Sequence, residues 1–175
     1  MKVPVALAIV VGVIGVVLTY LYVGPLSALG LLVPATFLGA ASYFAAGGDL
    51  AALKKSVPAN IWGVVVGTVT LILLAHVATP ILVGVVVGGM TAVFILGALV
   101  PLLDFVPGAV IGFATTVAFG LLTKGSGTNF ALPNGPFTVM LLSFLIGGAF
   151  GYVSSVLVGK LVSLGTRPVS APVEA

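Results

Sequence analysis

One histidine, three acids and no cysteine are all that 175 residues offer for acid–base, nucleophilic or metal chemistry. That inventory excludes a thiolate or His-rich metal site and a pair of carboxylates within one region. No Walker-type or dinucleotide-binding glycine loop occurs, and Gly125-Ser126-Gly127 reads as a plain loop. The expectation is therefore a protein that is not an enzyme and uses no metal and no cofactor. Two ionisable residues remain open to a role. Asp104 stands two residues before a Val-Pro in an apolar stretch, and His76 lies near the end of another. An acid inside a membrane segment is a functional hypothesis by default, here gating or proton linkage, although a solvated helix-start residue is equally natural. Histidine is the side chain whose charge changes near neutral pH, so His76 is either a pH sensor or a border residue.

The other candidates are neutral. Ser42 and Thr115, with Tyr43 and Thr116 beside them, supply hydroxyls that would line a passage for uncharged polar solutes, or bond back to their own helix carbonyls. Phe37 and Phe105 stand in the same two segments, where they would narrow such a passage or fill a core. Pro34 and Pro107 interrupt those segments, and Gly39 and Gly112 follow them by five residues, leaving room for another backbone or a solute.

The elements that must hold these residues are set by composition. Hydrophobic residues make up 61% of the chain and charged residues 5%, against about 25% charge in soluble domains. Too little charge is present to cover a water-exposed surface, which excludes a soluble enzyme, a nucleic-acid binder and a disordered segment. Helices crossing hydrocarbon need about 20 mostly apolar residues. Six stretches qualify, at 4–23, 28–46, 58–77, 81–100, 102–122 and 137–161. The expected fold is all-α and integral to the membrane, with one domain over 1–164 and a polar tail at 165–175. The first stretch reads as a span and not as a cleaved leader, since its apolar run is long and no small-x-small site follows. Asn60 and Trp62 are expected to cap and anchor the third span, with Tyr20 and Tyr22 forming a belt at the opposite interface. With six spans and a cytoplasmic N-terminus, Lys2, Lys54, Lys55, Lys160 and Arg167 all fall inside and Lys124 alone outside. Both termini are then cytoplasmic.

A shift of 73 residues lays the second half on the first. Val33, Pro34, Gly39, Ala41, Ala45 and Gly47 meet Val106, Pro107, Gly112, Ala114, Ala118 and Gly120, among twelve identities from Val5 to Gly48. Past the longer loop at 124–136, a shift of 84 lays Gly63-x-x-x-Gly67 on Gly147-x-x-x-Gly151. The halves, about 4–77 and 78–161, hold three spans each, so they would insert with opposite orientation. Such inverted repeats bind solute where the halves meet, at paired Gly/Pro-interrupted segments. Asp104 meets Leu31 and stands outside the shared scaffold. Gly63/Gly67, Gly84/Gly88, Gly108/Gly112 and Gly147/Gly151 would permit close helix contact within or between protomers, and so small a bundle is expected to form a homo-oligomer.

The segments LLDFVPGAVIGFATTVAFG (102–120) and FLGAASYFA (37–45) resemble a family of small bacterial inner-membrane proteins of the YcdZ type, a domain of unknown function. The resemblance extends to about Gly159 and is most specific at Phe105-Val106-Pro107-Gly108 with Ile111-Gly112. It implies a multi-pass protein of the bacterial inner membrane and brings no substrate and no catalytic residues; by composition the expected partner is the lipid bilayer and not nucleic acid. The leading expectation is a channel or facilitator for a small neutral solute such as urea, a short amide or ammonia. The alternatives are a structural or accessory subunit of a larger membrane complex and a proton-linked small-molecule transporter.

Overall fold

A computed structural model describes residues 1–165, and every regular element among them is helical. The polar tail expected at 165–175 lies, from 166 onward, outside the described residues. Six α-helices form: α1 Val3–Val23, α2 Val33–Ala45, α3 Leu50–Leu74, α4 Pro80–Leu96, α5 Val106–Leu122 and α6 Pro136–Gly165. Short 3-10 turns lead into α2 (Ser27–Leu29) and α5 (Gly97–Leu99, Pro101–Leu103). Four segments are long and apolar enough to cross a membrane, as a multi-pass protein requires: α1, α3, α6, and α4 carried on through its 3-10 turn to Leu99. The other two are shorter. The 13 residues of α2 span about 20 Å at 1.5 Å per residue, less than the roughly 30 Å of hydrocarbon.

Helix starts follow local chemistry. Proline occupies the first turn of α1, α2, α4 and α5, where its missing N–H costs nothing. The third helix begins eight residues before the expected 58. Asp49 Oδ1 accepts the Ala52 N–H at 2.7 Å and caps the helix. The charged stretch at 47–57 is consequently helical from Leu50, and Pro58 is carried inside the helix. Asn60 therefore sits mid-helix and caps nothing. Gly47 and Gly48 make the tight turn between α2 and α3, with φ of 127° and 74° that other residues rarely adopt.

The helices pack by crossing between the two sequence halves. The closest pairings are α3 with α5 and α2 with α6, while α1 leans on α6 and α4 on α3. Val64, Val139, Met140 and Phe144 form a buried centre with Ala35 of α2 and Phe119 of α5. The outer helices α1 and α4 are mostly exposed along their length. Contacts between connectors define two ends. The 24–32 connector touches Pro133 through Gly30, and Gly127 lies against Thr68 and Ile72. At the opposite end Gly48 approaches Ser155, and Lys55 pairs with Asp104. Lys2, Asp49, Lys54, Lys55, Asp104 and Lys160 thus gather at one end, with Lys124 and His76 at the other.

Candidate functional site

The interior contains no charge among the described residues; its buried polar side chains are serines, threonines and one asparagine. Asn60 stands where α2, α3 and α5 converge. Its Oδ1 accepts the Ser42 hydroxyl at 2.8 Å, and the missing side chain of Gly108 makes room beside that same oxygen. The Asn60 Nδ2 has no hydrogen-bond partner, nor has the Oγ of Ser56, one turn earlier on α3. Leaving a buried donor unpaired costs about 1–3 kcal/mol. Ser42, Ser56 and Asn60 are all 0% exposed, so the centre is shut from both sides in this conformation.

The surrounding hydroxyls are mostly satisfied locally. Thr116 donates to Gly112 O at 2.7 Å, Thr68 to Val64 O and Thr70 to Val66 O, each at 2.8 Å. These are the i−4 bonds by which a helix absorbs a hydroxyl without a tertiary partner. Thr115, the repeat counterpart of Ser42, is only half-buried. Tyr43 is buried and donates its hydroxyl to Gly48 O, closing the α2–α3 turn. Tyr22 turns inward to share a hydrogen bond with Thr36 Oγ1 at 3.1 Å, so only Tyr20 keeps the exposed position expected of an interfacial belt. Trp62 donates Nε1–H to Phe94 O at 3.2 Å, fastening α4 to α3.

The two glycines that follow the matched prolines face helices. Gly39 lies against Phe144 and Gly147 of α6, and Gly112 against Asn60 and Val64 of α3. Their neighbours correspond: Gly147 meets Thr36 and Gly63 meets Ala109, while Gly151 meets Tyr43 and Gly67 meets Thr116. Three of the four Gly-x-x-x-Gly pairs are therefore spent on contacts within the chain. Gly84 and Gly88 on α4 have nothing within 4 Å. Pro34 and Pro107 are exposed at their helix starts, Phe105 is half-buried, and Phe37 packs edge-on against Phe150 at 5.3 Å.

Asp104 lies outside this centre. Its carboxylate is exposed and lies 3.7 Å from Lys55 Nζ, and the residue preceding α5 in the cap position is Phe105. His76 is exposed beyond the end of α3. No group of three or more His, Cys, Asp or Glu that could hold a metal occurs among the described residues.

Sequence reasoning passed over Ser56 and Asn60 as site residues. The signal was present in their spacing with Gly63 and Gly67, since positions 56, 60, 63 and 67 trace one helical face.

A family model described as a protein of unknown function, DUF1097, matches residues 8–159. The chain belongs to the DUF1097 family. The DUF1097 match runs from Ala8 within α1 to Gly159 within α6, and includes Ser42, Ser56, Asn60 and every close glycine contact. It supports the resemblance of 37–45 and 102–120 at the level of this uncharacterised family. No curated protein and no solved structure matches the chain.

Proposed function

We propose that this chain is a membrane facilitator for a small neutral solute that carries a hydrogen-bond acceptor, and that the solute passes the Asn60 amide. One observation carries the reading: two amide N–H donors and the Ser56 hydroxyl are buried without partners in an uncharged interior. A urea or short-amide carbonyl would supply the missing acceptor, and recover part of the cost of burying those groups. Ion coupling normally relies on acids within the membrane. The one acid near an apolar segment, Asp104, is exposed and paired with Lys55, which favours a facilitator over a proton-linked transporter.

The reading includes an inverted three-plus-three repeat of the bacterial inner-membrane type. Exchanging α1 with α4, α2 with α5 and α3 with α6 returns the same set of helix pairings. The glycine contacts exchange in the same way at the 73- and 84-residue shifts. All six segments then cross, with the connectors 24–32 and 97–105 extending α2 and α5 to the surface. The lysine-rich end faces the cytoplasm with both termini. Because Asn60 is enclosed, passage requires α2 or α5 to shift on α3.

Proteoliposomes test this directly. Wild type should pass urea or acetamide faster than empty vesicles, and Asn60→Leu should abolish that flux while the protein still folds. Wild-type flux equal to empty vesicles across urea, acetamide, glycerol and ammonia would refute the facilitator. An accessory subunit of a larger complex is the second reading. The broad apolar faces of α1 and α4, with Gly84, Gly88 and Gly89 open, favour it. It would show no flux, and Gly84→Leu would cost only partner or self association.

A further inference from the structure

At the lysine-rich end a lateral groove of about 560 Å³ opens between α3 and α6, beside the 97–105 connector. Leu53, Val57, Leu102, Leu145 and Ala149 make its walls apolar, and Lys54 is the one charged residue lining it. Both acids described at this end are engaged elsewhere. Asp104 pairs with Lys55 at 3.7 Å, and Asp49 caps α3 through the Ala52 N–H. Lys54 has no acidic partner among the described residues. The charge is also absent from the repeat scaffold, since the 84-residue shift places Thr138 opposite Lys54. An ammonium at the rim of an apolar groove, one turn inside a helix start, calls for an anion attached to hydrocarbon.

We propose that this groove binds one acidic phospholipid, its acyl chain against Leu53, Val57 and Leu145 and its phosphate on Lys54 Nζ. The apolar walls accept a chain from any lipid, and the unpaired lysine selects the anionic one. The site is independent of solute passage, because its residues lie on the lateral surface and Asn60 is fully enclosed. A second groove, between α1 and α6, also carries a lysine, Lys160, but at about 320 Å³ against 560 Å³ it has much less room for an acyl chain. It provides the control.

The test uses the full chain in mild detergent, titrated with phosphatidylglycerol or phosphatidylcholine of the same acyl chains and read by native mass spectrometry. Wild type should prefer phosphatidylglycerol by about five-fold, the ratio expected from one lysine near an anionic headgroup. Lys54→Gln should remove the preference, and Lys54→Arg and Lys160→Gln should keep it. Ala149→Trp, which fills the groove, should weaken both lipids, with thermal unfolding confirming that this variant is folded. Equal binding of the two lipids by wild type would overturn the proposal. So would a preference that survives Lys54→Gln, or displacement of the lipid by millimolar glycerol phosphate.

Discussion

Replacing Gly112 with alanine should be one of the most damaging single-methyl changes available in this protein. The added Cβ would fall inside the contact radius of the Asn60 carbonyl oxygen, 3.0 Å from its carbon and 3.1 Å from the Val64 nitrogen. All three obstacles are backbone of α3, so no side chain can swing aside. The helices must part by most of an ångström, and dispersion contacts are lost along the seam. Overpacking of this kind costs about 1–3 kcal/mol, occasionally more, and Gly112→Ala belongs at or above the top of that range. Gly39→Ala is milder. Its Cβ would meet Gly147 Cα and Phe144 O at 3.1 Å, so a shift of a few tenths of an ångström suffices, costing about 1 kcal/mol. At Gly84, with nothing within 4 Å, the same change meets no obstacle and should gain up to about 1 kcal/mol of helix propensity. Gly63→Ala collides with Ala109 O and Phe113 N across the same seam as Gly112. The double variant Gly63→Ala/Gly112→Ala should therefore cost less than the sum of the two, because the first wedge opens the space the second occupies. Unfolding in mixed detergent–SDS micelles measures all five. A Gly112→Ala variant as stable as Gly84→Ala would refute the packing argument.

Three further outcomes are expected. Reporter fusions after Ala175 and within 124–135 should place the C-terminus in the cytoplasm and Lys124 outside; a C-terminus outside would overturn the inverted repeat. Asp104→Asn removes an ion pair whose side chains are 51% and 43% exposed, so stability should change by less than about 1 kcal/mol. Urea flux should then match wild type at pH 6 and pH 8, and a pH-dependent loss would restore proton coupling. Ser42→Ala strips Asn60 Oδ1 of its donor and should cost about 1–3 kcal/mol, measured by thermal unfolding; adding Asn60→Leu should recover most of it, because the orphaned amide goes with it.

The helical class and the starts of α1, α4 and α6 were legible because they depend on local chemistry, apolar runs with Pro near the first turn; α2 and α5 begin at their matched Val-Pro, five and four residues after the expected 28 and 102. The start of α3 was not, since Lys54, Lys55 and Pro58 resemble a loop until Asp49 is seen capping the turn before them. The Gly-x-x-x-Gly pattern reads identically at 63/67 and 84/88, yet one pair is pressed against α5 and the other meets nothing. Only tertiary packing separates them. Asn60 was misplaced for the related reason that a helix begun eight residues earlier carries it from an interface to the centre. Ser42 and Thr115 match in sequence, but only Ser42 has an asparagine to bond, because Asn60 has Phe144 as its counterpart in the second half.

The crossing of partners between the halves has a consequence for how the chain is made. The Leu32 N–H at the start of α2 bonds Ser143 Oγ on α6, 111 residues away in the chain. While the protein is being synthesised, α2 has no α6 to receive it, and its 13 residues fall short of a stable crossing on their own. Helices α1 and α3 can enter the bilayer as they emerge, but α2 must wait at the interface or lean on α3 until α6 arrives. Seating of α2 is then completed by α6, and a ribosome stalled before residue 136 would leave a product with its short helix unseated and open to membrane proteases.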